Sequence, residues 1–310
     1  MAKMVEENSV LVQKRIKSWL LLKEKQRGYQ AVARHYKHAL NRMFLQLNHS
    51  ALIIVEDDLD VASDFFQYFA GTLPLLMANQ NLFCVSAWND NGRPDLIDLK
   101  RSDLLYRTDF FAGLGWMLLR SFWLEIHAGW PDIFWDEYLR KPYVRKNRAC
   151  LRPEVGRTTT FGRMGISRGQ FFDKYLSTMR LNHDWQNFVQ MNLTYLHEPG
   201  DLPNISTTPT ERIRVTYHSQ ADFDRIAIKL NLMRDIKSGV MRNAFAGVVP
   251  TKWKDQWIYI NKVFSANPVS TIDNRRNKIT KGIICEQQLD ESTVIEVIFW
   301  FRMRDQIANK

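Results

Sequence analysis

Cysteine is scarce in this chain and long apolar runs are absent. Its three cysteines are Cys84, Cys150 and Cys285, and no two of them form a CxxC pair. That excludes a zinc ribbon and a thioredoxin-type redox motif. By themselves the three thiols read as small buried apolar side chains. No stretch approaches the ~18–20 apolar residues that cross a bilayer. The longest candidates, Trp19-Leu-Leu-Leu22 and Val297-Ile-Phe-Trp-Phe301, are far shorter. The N-terminus has no signal-peptide core either, so the chain as written is expected to carry no targeting segment of its own. Three sequons, at Asn48, Asn192 and Asn204, permit glycosylation in a secretory compartment but arise easily by chance. Internal repeats, low-complexity tracts and nucleic-acid-binding signatures are all missing.

What is present is a globular composition. The 310 residues are 45% hydrophobic and 25% charged, enough for a core, which excludes a disordered, collagenous or coiled-coil protein. The length suits one large domain or two ordinary ones. The net charge of +10 suggests an anionic partner. Most of it is local: residues 1–50 hold ten Lys/Arg against three Asp/Glu, and the stretch from Leu139 to Gln170 has nine basic residues and one acid, Glu154. A leader and one cluster argue against a nucleic-acid surface.

Residues 1–28 read as a basic, partly helical leader. From Tyr29 the spacing of Val32, Tyr36, Leu40, Met43, Phe44 and Leu47 predicts a helix. Leu52–Val55 is short, apolar and β-branched, as in a buried parallel strand. A helix is expected from about Ser63, as N-cap, with Pro74 ending or kinking it. A second strand is expected at Leu82–Ala87, a turn at Asn89-Asp-Asn-Gly92, and a strand, a glycine turn and a helix from about Arg120 within residues 104–125. Five of the ten tryptophans fall between Trp88 and Trp135. Clustered Trp is usually core, yet it also suits a sugar platform. Beyond residue 180 the signals indicate a smaller α+β segment.

Three segments carry chemistry. Glu56-Asp57-Asp58 follows the apolar strand directly, where α/β sheets bind ligands. Adjacent carboxylates repel, so they favour a divalent cation that takes its other ligands from phosphate and water; a solvated acidic loop capping the next helix is the alternative. Asp136, in Phe134-Trp135-Asp136-Glu137-Tyr138, lies among aromatics, which suits a general base, or else it is an exposed helix-start acid. Arg157 to Ser167 forms a hydroxyl- and glycine-rich basic loop that could hold phosphate oxygens, or is an ordinary polar loop. Together they point to metal-assisted transfer from a phosphorylated donor.

The ordered blocks VEDDLDVASDFFQYF, CVSAWNDNG, LLYRTDFFAGLGWML, WPDIFWDEYLR and RACLRPEVGRTTTFGRMGISRGQFFD resemble the N-acetylglucosaminyltransferase I family. The likeness is dense over 29–182 and continues more weakly to about Lys262. It implies an α/β, GT-A-type nucleotide-sugar-binding fold, with a Rossmann-like sheet and a smaller C-terminal α+β part. The regions are then a divergent leader (1–28), a catalytic core (29–182), an acceptor-side part (183–263) and an unmatched tail (264–310). The implied activity is inverting transfer of GlcNAc from UDP-GlcNAc to the 2-hydroxyl of the α-1,3-arm mannose of a high-mannose N-glycan acceptor on glycoproteins, in the Golgi lumen, with Mn²⁺. By resemblance, Asp58 is the metal ligand, Asp57, His35 and Ser167 contact the donor, Asp136 is the catalytic base, and Cys84 and Cys150 form a disulfide. The protein O-mannose N-acetylglucosaminyltransferases share part of the pattern, which the EDD triplet and TFG block fit less well.

The family's first strand–helix units and membrane anchor have no counterpart in the sequence. Leu52–Val55 is therefore expected near an unpaired sheet edge, and Val294–Phe301 is a second apolar stretch prone to association. An inactive fragment that only binds acceptor or partner is the alternative to an active transferase.

Overall fold

The computed structural model describes residues 23–163, 169, 171–196, 212–254 and 256–263, and the backbone of Glu296–Phe299. Helix α1 spans 23–41 and widens into a π-helical turn at Arg42–Gln46. Ala33, Tyr36, Leu40 and Phe44 line its buried stripe, whereas Leu47 is exposed. The helix passes through residues 28 and 29 without a break.

Strand β1 (Ala51–Val55) is buried along its length. Its alternate residues serve two cores, as the two-residue period of a strand requires. Ala51, Ile53 and Val55 join one core with Phe65, Tyr68 and Phe69. Leu52 and Ile54 join the other with Tyr36, Leu40, Phe44, Phe122 and Trp123. A strand covered on both faces has no polar side to display, which explains its continuous apolar run.

A short β2 (Leu59–Val61) precedes helix α2 (Phe65–Ala78). Asp64, not Ser63, is the residue at its N-cap, and no side chain caps it there. Pro74 neither ends nor begins α2 but lies inside it. Leu73, Leu75 and Leu76 on both sides of the proline are buried, and their packing outweighs the one lost backbone bond. Next come β3 (Leu82–Ser86), β4 (Leu105–Thr108), β5 (Trp116–Leu119) and helix α3 (Arg120–Ile126). Two short helices, α4 (Trp135–Arg140) and α5 (Pro142–Arg145), lead to β6 (Ala149–Pro153) and β7 (Thr158–Thr160).

The architecture is mixed α/β. The main sheet has six strands; those named so far run in the order β1-β5-β3-β6-β4. β1 and β5 are antiparallel, β5 and β3 antiparallel, and β3 and β6 parallel, so β1, β3 and β6 all point the same way. A disulfide joins Cys84 on β3 to Cys150 on β6, which face each other in register. The sixth strand corrects an expectation. Residues Glu296–Phe299 form a strand parallel to β1, pairing Leu52 with Glu296 through Val55 with Phe299, so the β1 edge is covered by backbone from the tail.

The C-terminal part holds β8 (Arg212–Tyr217), helix α6 (Gln220–Leu230), a small hairpin of β9 (Ile236–Lys237) and β10 (Val240–Met241), and the hairpin strands β11 (Val248–Trp253) and β12 (Gln256–Lys262). The tail strand Glu296–Phe299 is β13. α6 has a complete capping box between Ser219 and Asp222. The turn predicted at Asn89 fastens this part to the main sheet. Arg242 bridges Asp90 and Asp235, and Asn243 donates to Asn89 Oδ1 at 2.6 Å. Trp88, Trp116 and Trp123 are at most 1% exposed, so these three serve the core and not a sugar platform. Among the described residues, no helix is long and apolar enough to cross a membrane.

At the end of β6, Glu154 is 3% exposed and its Oε1 accepts from Asp98 N–H at 2.7 Å. Burial pushes its carboxyl up to about 7, against the opposing pull of Arg152. Between about 4.5 and 7 the folded protein holds a proton that the unfolded chain has released, so stability falls as pH rises through that window. Glu154→Gln keeps an acceptor for Asp98 and cannot ionise. Urea unfolding from pH 5 to 8 should show the unsubstituted protein losing roughly 2–3 kcal/mol more than the variant. Parallel stability curves would contradict this.

Candidate active site

The shared direction of β1, β3 and β6 collects their carboxyl ends on one edge of the sheet. Glu56-Asp57-Asp58 leaves β1 there, and Trp116, opposite Ile54, opens β5 at the same edge. The three acids have separate surroundings. Glu56 is partly buried and its Oε1 accepts from Tyr36 O–H at 2.9 Å. Burial raises its carboxyl to about 7; the neighbouring Asp58 charge adds to this, with lesser contributions from Asp136 and Asp57, and the Tyr36 hydrogen bond opposes it. Asp57 is exposed and Asp58 partly buried.

Asp58 is held by the loop after β7. β2 and β7 pair antiparallel, from Leu59 with Thr160 to Val61 with Thr158. The pairing extends to Phe161, whose N–H donates to the Asp58 carbonyl at 3.0 Å. Gly162 then lies against the Asp58 carboxylate, and a Cβ built on it would overlap Oδ2. Glycine is needed here for close approach of the backbone to an acid.

Asp136 sits in the first turn of α4. Its Oδ2 accepts from Arg140 Nη1 at 2.6 Å. Arg140 is 6% exposed, donates from Nε to the Phe111 carbonyl, and covers the Phe110 ring. The guanidinium is thus fixed before it reaches the carboxylate. Tyr36 touches both segments, its hydroxyl on Glu56 and its ring on Trp135, so the β1 turn and the start of α4 lie on either side of one side chain. His35 is on the exposed side of α1 beside Tyr36, and partial burial, with His38 second, lowers its pKa. The structure therefore brings the expected Asp57, Asp58 and Asp136 to one end of the molecule. Ser167 lies outside the described residues.

Among the described residues of the basic stretch 139–170, each arginine is engaged by a partner within the protein. Arg157 is completely buried and its guanidinium bonds Asp64, the Val155 carbonyl and the Ser102 carbonyl. Arg140, Arg145 and Arg148 are likewise committed, to Asp136, Asp109 and Glu125. Arg163, on the exposed part of the loop, pairs with Asp173.

Among the described residues, no group of three His, Cys, Asp or Glu side chains converges as a ready-made metal cage. The donor set nonetheless fits a hard cation that takes one or two carboxylates and completes its shell from donor phosphates and water. Asp57, which is exposed, and Asp58, partly buried against the Gly162 backbone, are the carboxylates of this turn that such a cation could use.

A profile of the GNT-I family matches residues 21–274. The chain belongs to the GNT-I family. The alpha-1,3-mannosyl-glycoprotein 2-beta-N-acetylglucosaminyltransferase of Arabidopsis thaliana is 38% identical over 240 residues, covering 72% of this chain and 54% of that protein. The chain spans about half the length of that curated relative. β13, which covers the β1 edge, lies beyond the GNT-I match.

Sequence reasoning on this GNT-I chain passed over Tyr36, Arg140 and Gly162. Tyr36 was counted as an apolar helix residue, although its hydroxyl would need a buried partner. Arg140 is four residues after Asp136, the spacing of a helical ion pair. Gly162→Ala should force the Asp58 carboxylate aside and weaken divalent-cation-dependent donor binding at least tenfold, or about 1.4 kcal/mol. Calorimetric titration checks this, and unchanged affinity would remove the cradle from the account.

Proposed function

We propose that the chain is the catalytic part of an inverting, Mn²⁺-dependent N-acetylglucosaminyltransferase of GT-A type. It transfers GlcNAc from UDP-GlcNAc to the 2-hydroxyl of an α-1,3-arm mannose on the N-glycan of a glycoprotein. One observation carries the reading: a carboxylate turn at the carboxyl end of β1 and a separately held carboxylate at the start of α4 flank the same side chain, Tyr36, in a chain of the GNT-I family. A strand-end acidic turn suits a nucleotide diphosphate, and inversion needs a single base on the opposite side of the reacting carbon.

In this reading Asp136 accepts the proton of the mannose 2-hydroxyl as that oxygen attacks the anomeric carbon. The new oxygen–carbon bond forms while the bond from that carbon to the phosphate oxygen breaks, and its electron pair leaves with UDP. Arg140 holds Asp136 in orientation through the 2.6 Å contact. Asp58 is the metal ligand, and Asp57, His35 and Ser167 contact the donor. A bound Mn²⁺ supplies charge neutralisation on the departing diphosphate. A lumenal, Golgi setting accords with the Cys84–Cys150 disulfide, since such bonds persist in oxidising compartments.

Asp136→Asn should retain Mn²⁺-dependent UDP-GlcNAc binding and lose roughly 100-fold or more in transfer rate. Asp58→Ala should lose the metal dependence of that binding. Full transfer by the first variant, or metal-dependent binding by the second, refutes the corresponding role.

A further inference from the structure

Tyr36 touches both halves of the candidate site. It is 1% exposed, near the middle of α1. Its hydroxyl donates to Glu56 Oε1 at 2.9 Å, at the start of the acidic turn. Its ring stacks on Trp135 with centroids 3.9 Å apart and planes 29° from parallel. Trp135 is the residue before Asp136 and opens α4.

The other face of this assembly is equally fixed. Trp135 lies nearly parallel to Trp116 and to Trp130, at 6.0 and 5.9 Å with planes 14° apart. Trp130 Nε1 donates to the Ala33 carbonyl at 2.9 Å, one turn before Tyr36 on the same helix. Trp123 Nε1 donates to Asn41 Oδ1 at 3.1 Å, on the C-terminal side of Tyr36 in the same helix. α1 is therefore anchored on both sides of Tyr36 and cannot slide to follow either partner alone.

We propose, on the transferase reading above, that Tyr36 is a positioning residue. Its hydroxyl locks the acidic turn of β1 and its ring locks the start of α4, so that one side chain sets the separation between the donor-side carboxylates and Asp136. A residue that merely filled the core would need only the ring. The hydroxyl aimed at the Glu56 carboxyl adds direction, because a hydrogen bond weakens steeply once donor and acceptor leave alignment. α4 has only six residues and no side-chain cap. A helix of that length is marginal by itself and depends on such packing.

Two substitutions separate the two arms. Tyr36→Phe keeps the ring and removes the hydroxyl; Tyr36→Leu removes both. Hydrogen exchange of the full chain, followed by mass spectrometry, reads each arm without any donor or metal. The Phe variant should raise exchange about fivefold in the 56–60 turn, the equivalent of one ordinary hydrogen bond, and leave 135–140 unchanged. The Leu variant should raise exchange in both. In transfer assays Tyr36→Phe should lower kcat roughly tenfold with donor KM within about twofold, the split expected of lost positioning. Combining it with Glu56→Gln should add no further loss, because Tyr36 acts through Glu56. Unchanged exchange at 56–60 in the Phe variant, or at 135–140 in the Leu variant, overturns the proposal, as does a kcat equal to that of the unsubstituted chain. If the unsubstituted chain shows no transfer, the transferase reading fails by itself, and the exchange data still decide whether Tyr36 holds the two arms.

Discussion

The structure turns on Arg157. Its side chain is wholly buried and forms a 2.9 Å ion pair with Asp64, itself without exposure. Asn182 donates to the same Asp64 oxygen at 3.1 Å, and the guanidinium lies over the rings of Phe188 and Tyr68. The backbone is equally engaged: Arg157 N–H donates to Ala87 O and its carbonyl accepts from Ala62 N–H. Arg157 therefore binds the end of β3 and the approach to α2, and Asp64, its partner, also holds Asn182. A buried pair of this kind adds little net stability compared with apolar packing, but losing one partner is severe, of order 3–5 kcal/mol. It serves to fix arrangement.

What it arranges is the acidic turn. β7 begins directly after Arg157, and its pairing with β2 places Gly162 against Asp58. Asp64 is thereby diverted from capping α2, which starts without a side-chain cap. On the other side, Asp136 is fixed by Arg140, a second buried guanidinium with its own carbonyl partner. The site is built by arginines that face inward. Asp57 is left exposed beside the partly buried Glu56 and Asp58.

Much of this was legible. The apolar strand before Glu56, the stripe of α1, the strand at Leu82 and the helix beginning near Arg120 followed from periodicity and punctuation, because each is decided by local burial on a fixed repeat. The segments carrying Glu56-Asp57-Asp58 and Asp136 stood out for their residue types. Ser63 gives way to Asp64 at the N-cap of α2, and Pro74 does not end that helix. The phosphate reading fails at Arg157, which an ion pair spanning 93 residues holds inside. Local propensity has no access to such partners.

The amino-acid sequence by itself determined the family, the mixed α/β class, the acidic turn on a buried strand and the acid on an aromatic-rich helix start, since these reside in residue order and short-range spacing. Only the tertiary structure decided which charges are structural and which are presented. It turned Arg157 into an internal strut, made Tyr36 a bridge between β1 and α4, and covered β1 with β13. Whether a charged or hydroxylated side chain serves the interior or the site depends on the groups that burial brings against it. Those contacts span tens to hundreds of residues and leave no local repeat to read.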